Sequence, residues 1–261
     1  MANVIVISNQ KGGVGKTTTA VNLSASIAAM EKKVLLVDLD PQGNASQGVG
    51  YYEVQDEDIY EVLEMAKNND SIKPEELKGI IKPTSLKFLN VIPSSSSLAA
   101  IEMSLVGEEH REYRLRNAIS GLRKQYEYII IDSPPSLNLL TLNALTAADL
   151  VIIPVQCEYY ALQGLAELFT TIRLVQKNFN PDLEIAGALL TMYDSRLKLS
   201  KMVADDVKSC FSDTTFETII PRNVILGEAP SYGKPAILYD VQSTGAQAYM
   251  NLAKELINNG N

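Results

Sequence analysis

Residues 4–20 read VIVISNQKGGVGKTTTA, and their succession of apolar run, glycine-rich turn and helical pattern decides the fold. Residues 4–8 have the composition of a buried strand, while Lys16, Thr17 and Thr18 open a helix continued by Leu23, Ile27 and Met30. Strand, loop and helix in that order form a phosphate cradle. Gly12, Gly13 and Gly15 tolerate backbone angles that a Cβ penalises, so successive N–H groups around Val14 can point inward at phosphate oxygens. The helix that follows turns its positive end to the same anion. In such a loop Lys16 reaches the β- and γ-phosphates, the Thr17 hydroxyl coordinates Mg²⁺, and Thr18 lies beside them as a further nucleotide contact.

The loop departs from the general pattern GxxxxGK[ST] at its entry. The position six before Lys16 is Gln10 instead of glycine, and a second lysine, Lys11, follows it. Lys11 comes too early in the chain to do the work of Lys16. It reads either as a solvated surface lysine or as a lysine aimed at phosphate from outside the cradle, including from a facing subunit.

The 261 residues show no composition break and suit one α/β domain spanning 1–261. A hydrophobic fraction of 46 % argues for a folded chain, and no run is long and apolar enough to cross a bilayer. No basic leader precedes the first strand, so no signal peptide is expected. Two cysteines, Cys157 and Cys210, are too few for a disulfide framework or a metal site, and the single histidine, His110, excludes imidazole-rich metal chemistry. A net charge of −8 disfavours whole-surface attraction to DNA or anionic membrane but leaves room for a local basic patch.

Two further apolar runs end in carboxylates. Residues 34–39 (VLLVDL) form a continuous strand typical of a sheet covered on both faces, and Asp40 follows at its C-terminal end. Open α/β sheets place ligands at such strand ends, so Asp40 is a candidate to orient an attacking water or bear on the metal. The alternative is a turn or helix cap before Pro41. Asp38 alternates to the other side of the strand and could join the Mg²⁺ network. Residues 128–132 (YIIID) then deliver Asp132 to a strand end, the place of the carboxylate that binds a Mg²⁺-bound water in phosphate-loop NTPases.

Elsewhere the pattern predicts strands at 86–92, 148–155, 185–193 and 216–220, and helices at 58–66, 159–176, 195–211 and 244–258. Residues 47–87 are the least regular part. Residues 107–124 read as a helix that buries Leu115, Ala118, Ile119 and Leu122, its arginines either solvated, paired with Glu108, Glu109 and Glu112, or turned to a partner. Arg196, Lys198, Lys201 and Lys208 on the 195–211 segment either face DNA or form an ordinary wet helix face. The alternation of strand and helix implies a mostly parallel central sheet with helices on both faces.

These motifs, in this order, closely resemble the ParA/Soj family of chromosome- and plasmid-partitioning ATPases with a deviant Walker A loop. The resemblance rests on NQKGGVGKTTTAVNLSASIA at 9–28, VLLVDLDPQGNAS at 34–46, EYRLRNAI at 112–119, YIIIDSPPSLNLLTLNALTAAD at 128–149 and IIPRN through EAPSYGKPAILYD at 219–240. It implies the P-loop NTPase fold, ATP and Mg²⁺ as cofactors, and a homodimer closed around ATP. Lys11 then matches the signature lysine that reaches the other subunit's phosphates, and Lys16 and Thr17 keep their phosphate and metal roles. Asp40 matches the residue needed for hydrolysis, Asp132 matches Walker B, and Pro221, Arg222 and Asn223 resemble the segment flanking the adenine.

The resemblance also implies nonspecific DNA binding, a ParB/Spo0J-like partner that stimulates hydrolysis, and a cytoplasmic, nucleoid-associated protein. MinD-like relatives end in a basic membrane-binding helix. This tail, NLAKELINNGN, has one lysine, so no stable membrane anchor is expected. A MinD-like positioning switch with little DNA binding remains the alternative, because two basic positions expected in the family are Ile225 and the uncharged VQST at 241–244. Arg196 keeps one such position, and Lys198, Lys201, Lys208 and Lys234 are candidates to compensate. Ser133 stands where a cysteine is frequent.

Overall fold

The computed structural model describes residues 1–52, 57–66, 71–158, 163–211 and 214–259. Its strands are β1 (Asn3–Ile7), β2 (Val34–Asp38), β3 (Lys82–Pro83), β4 (Leu89–Ile92), β5 (Tyr128–Asp132), β6 (Leu150–Gln156) and β7 (Glu184–Thr191). They form one sheet in the order β3-β4-β2-β5-β1-β6-β7, parallel throughout except for the two-residue β3 on β4. The helices are α1 (Lys16–Ala29), α2 (Asn44–Gly48), α3 (Ile59–Met65), α4 (Ile101–Ser104), α5 (Arg114–Ser120), α6 (Leu139–Ala147), α7 (Gln163–Asn178), α8 (Lys198–Phe211), α9 (Ile225–Glu228), α10 (Ala236–Tyr239) and α11 (Thr244–Asn259).

Strand alternation divides the apolar residues between two faces. Val4 and Val6 of β1, with Ile129 and Ile131 of β5, pack toward Leu115, Leu140, Leu168 and Val203 of α5, α6, α7 and α8. Ile5, Ile7 and Ile130 pack the other way, against Leu23 and Ile27 of α1 and Tyr249 and Leu252 of α11. Both faces of the central strands are therefore dry, which is why β2 and β5 read as unbroken apolar runs. Truncating a fully buried strand residue such as Ile130 to Ala would cost about 2–5 kcal/mol through lost burial and the cavity left behind.

Register sets the site. β1 pairs with β5 as Ile7↔Asp132, and β5 pairs with β2 as Asp38↔Asp132. The loop after β1 and the carboxylates after β2 and β5 thus emerge at one end of the sheet, around the switch in strand order where ligands bind.

Three expectations differ from the structure beyond the later start of the strand expected at 86–92, which is β4. Residues 216–220 are not a strand. They run along β7 with Phe216 N–H on Ala188 O and Ile220 N–H on Leu190 O, but Glu255 of α11 takes the intervening N–H groups of Glu217 and Thr218 and interrupts the ladder. The 107–124 stretch is broken: the 3₁₀ turns Arg111–Tyr113 and Gly121–Lys124 flank α5, and His110 at φ 58° stops propagation from upstream. Its four apolar residues are buried as the spacing requires, and Arg114, 1 % exposed, takes the pairing alternative, reaching the exposed Glu108 at 3.1 Å. Finally, α8 begins at Lys198, because Asp194 Oδ1 accepts from Arg196 N–H and holds the preceding residues in a turn. Tyr159 to Leu162, placed at the start of the helix that is α7, lie outside the described residues.

Candidate nucleotide-binding site

The loop between β1 and α1 has the backbone the glycines permit. Gly13 at φ 75° and Gly15 at φ 92° occupy the left-handed region, which strains any residue with a Cβ. Gly15 is also the N-cap of α1, without a side-chain cap, so N–H groups at the helix start face the loop's concave side. Gly12 and Gly13 are exposed, and a Cβ built on either would meet nothing within 4 Å among the described residues. The cradle is open. Val14 is buried and its carbonyl accepts from Thr191 Oγ1 at 2.8 Å, which ties the loop to the end of β7.

Lys16 folds back on its own loop, its Nζ donating to Lys11 O at 3.2 Å. It is 7 % exposed, and burial pulls its pKa down while Asp132 and Asp40 work to raise it. Thr17 and Thr18 are half-buried in the first turn of α1, and Thr18 O accepts from Asn22 Nδ2.

Across from the loop, three carboxylates occupy different states. Asp38 is fully buried and accepts from Ser46 Oγ at 2.7 Å, Ser46 N–H at 2.8 Å and Asp40 N–H at 3.2 Å. Ser46 Oγ in turn accepts from Ser94 N–H. Asp38 is thus an organiser of the β2–α2 turn, and its register with Asp132 puts both carboxylates on the same side of the sheet, where the sequence had placed Asp38 on the other. Burial pushes Asp38 up to about 6 against those hydrogen bonds. Asp40, 8 % exposed, accepts from Gln42 N–H, so its side chain holds the turn before α2, and it stands near enough to Lys16 to act on that ammonium.

Asp132 is fully buried, and neither of its oxygens has a hydrogen-bond partner among the described residues. Burial first, and then the Asp38 carboxylate, hold its pKa well above the usual carboxylate range; the Thr17 hydroxyl and the Lys16 ammonium oppose this. A bare carboxylate of this kind, close to a threonine hydroxyl and a phosphate cradle, fits an oxygen-ligated, hydrated Mg²⁺. Ser133, buried beside Asp132, donates from Oγ to Ile7 O and stitches β5 to β1.

Pro221, Arg222 and Asn223 do come to the loop. They line a cavity of about 240 Å³ with Gly15, Thr18, Thr191, Met192, Leu226 and Tyr249. Arg222 reaches Glu158 at 3.3 Å, while Asn223 donates to Thr244 and accepts from Ile225 N–H. Sequence reasoning missed Thr191 and Tyr249, whose hydroxyl meets Thr19 at 3.0 Å. The one available signal was a hydroxyl at the C-terminal end of β7.

The basic candidates come from three stretches: the turn before α8, α8 itself and the turn after Gly233. Arg196 is exposed but held bidentate by Asp194, and that guanidinium takes Asp194 down to about 2. Lys198, Lys201 and Lys208 are exposed on one side of α8, where helical spacing sets Asp205 among them; Lys234 is exposed on a separate turn after Gly233. Ile225 is half-buried, and Val224 and Val241 are exposed apolar residues in the region expected to be basic.

A parallel sheet, an open glycine loop at a helix start, and buried carboxylates on the two neighbouring strand ends define a phosphate-loop nucleotide-binding protein. Comparison with known proteins narrows this class. The chain matches the family model described as AAA domain over residues 2–185. It is 53 % identical over 261 residues, all of both chains, to the sporulation initiation inhibitor protein Soj of Bacillus subtilis. It is 51 % identical over 257 residues to the chromosome partitioning protein ParA of Myxococcus xanthus, covering 98 % of this chain and 88 % of that one. The chain belongs to the ParA/Soj family of partitioning ATPases. Among solved structures it resembles cobyrinic acid a,c-diamide synthase of Mycobacterium smegmatis with bound ADP and magnesium, at TM-score 0.85 and 36 % identity over 100 % of this chain and 96 % of that one. No helix among the described residues is long and apolar enough to cross a membrane.

Proposed function

We propose that this chain, acting as one domain over residues 1–261, is a Mg²⁺-dependent ATPase that partitions chromosome or plasmid DNA. It closes as a homodimer around ATP and opens after hydrolysis. The observation that carries the reading is the unpartnered, buried Asp132 carboxylate set against an open glycine cradle.

In this reading Thr17, Asp132 and Asp40 hold Mg²⁺, which supplies charge neutralisation at the phosphoryl oxygens. Residues Gly12, Gly13, Val14 and Gly15 present N–H groups to the phosphates, with Thr18 at the edge of the same site. Lys16 leaves the Lys11 carbonyl for the β- and γ-phosphates. Asp40 orients water for in-line attack, and Lys11 of a second copy stabilises the charge that develops. Pro221, Arg222 and Asn223 flank the adenine against the apolar wall of Met192 and Leu226.

A ParB-like protein stimulates turnover, and the ATP-bound dimer associates with the nucleoid in the cytoplasm through Arg196, Lys198, Lys201, Lys208 and Lys234. The engaged state of Arg196 and the exposed Val224 and Val241 favour a second reading, an ATP-dependent positioning switch that works through protein partners with little DNA contact. Phosphate release and particle mass, measured with ATP and Mg²⁺ and again with EDTA, test the core of the proposal. A monomer that releases no phosphate under the first condition rejects it.

A further inference from the structure

Lys11 is held from both sides along its backbone. Its N–H donates to Asn9 Oδ1 at 3.0 Å, and its carbonyl accepts from Lys16 Nζ at 3.2 Å. Asn9, 5 % exposed, is itself fixed by donating from Nδ2 to Pro154 O in β6 at 2.7 Å. Gln10 supplies another anchor. With its amide nitrogen turned to α7, it donates to Glu167 Oε2 at 2.8 Å while its oxygen accepts from Leu168 N–H at 3.2 Å. Past Lys11 the surroundings change, since Gly12 and Gly13 have open space where a side chain would stand.

We propose that Gln10 and Glu167 form a positioning pair that fixes the backbone of Lys11, so that its ammonium is presented to a second copy of the chain. The inference rests on the cross-subunit reading of Lys11. A lysine side chain has high rotamer entropy, and freedom in the backbone beneath it would weaken further any contact made across a closing interface. Anchoring that backbone before association removes part of the ordering cost. The residue that stands in the loop's usual leading glycine position therefore has a use: a glycine there has no side chain with which to grip α7.

Exchanging the charges tests the pair in the full chain. Gln10→Glu sets a carboxylate against Glu167 and breaks the tether, whereas Gln10→Glu combined with Glu167→Gln restores an amide donor facing a carboxylate. Dimerisation is read by sedimentation with a nonhydrolysable ATP analogue, and monomer affinity by titration with a fluorescent ATP analogue. Gln10→Glu is expected to weaken dimerisation about tenfold, the loss of one hydrogen bond to a charged group, with nucleotide affinity unchanged. The double variant is expected to recover the dimer. A Gln10→Glu chain that dimerises like the wild type, or a double variant that fails to recover, overturns the positioning role. A wild-type chain that stays monomeric with the analogue overturns the cross-subunit reading itself.

Discussion

Asp38 and Asp132 stand in register at the ends of neighbouring parallel strands, and the fold treats the two buried carboxylates oppositely. Asp38 accepts three hydrogen bonds; Asp132 accepts none among the described residues. An orphaned buried carboxylate destabilises the nucleotide-free chain and is tolerated where a cation satisfies it in another state.

Asp132→Asn should therefore stabilise the nucleotide-free protein while it suppresses Mg²⁺-dependent turnover. Relief of the buried charge is expected to be about 1–3 kcal/mol, less where the carboxyl already holds a proton. At this chain length that is a rise of roughly 2–6 °C in Tm, read by thermal melts at pH 8 without nucleotide. A lower Tm with turnover retained would remove Asp132 from the metal role.

The same pair sets a pH dependence of unusual sign. Both folded-state values are raised, so the folded chain keeps a proton that the unfolded chain has released. The contribution of these groups is greatest below the unfolded value of about 4 and declines as pH rises through the raised folded values, about 6 for Asp38. Glu127 and Asp194, whose values are lowered, act in the opposite sense below that window. Denaturant midpoints across pH 4 to 8 should show a shallower fall for Asp132→Asn than for the wild type; identical slopes would contradict the raised value.

The strand ends and the loop were legible because fully buried parallel strands read as apolar runs, and a polar residue that ends such a run is conspicuous. VLLVDL and YIIID both announced their carboxylates in this way. Features that depend on distant partners were not legible. The interruption at Glu217 and Thr218 comes from Glu255, and the contact from Gln10 to α7 spans more than half the chain. The roles of Asp38 and Asp40 were only partly separable, since alternation tells which side a residue faces but not which hydrogens it meets. Pairing with Glu108 was open to Arg114 in the sequence, but its burial depends on packing that the sequence does not display.

Lys11→Ala should abolish ATP-dependent dimerisation and leave monomeric nucleotide binding nearly intact. Its own cradle is built from residues after it, and its backbone carbonyl, the part that meets Lys16, survives the substitution. Light scattering with ATP reads the mass. A dimer of unchanged stability would return Lys11 to the status of a solvated lysine.

Asp40→Ala should instead trap an ATP-bound dimer that does not turn over. The side chain accepts from Gln42 N–H alone within hydrogen-bonding distance among the described residues, so its loss costs the fold about 0.5–1.5 kcal/mol and leaves the cradle standing. Phosphate release at the wild-type rate would exclude Asp40 from orienting water.

DNA affinity, if it resides in the named residues, should be weak and shallow in its salt dependence. Each phosphate contact contributes about 0.9 to the slope of log K against log salt, so the slope counts contacts. Arg196 must first release Asp194, Asp205 stands among the α8 lysines by helical spacing, and Ile225 together with residues 241–244 contributes no charge. Binding to a long duplex, measured with the nonhydrolysable ATP analogue from 25 to 200 mM salt, is therefore expected to give a slope no steeper than about −4 per dimer, taking roughly two effective contacts from each copy. Asp194→Asn should steepen it by freeing Arg196. A steep slope in the wild type that Asp194→Asn leaves unchanged would mean that DNA is gripped elsewhere on the molecule, and no binding at the lowest salt would favour the positioning switch.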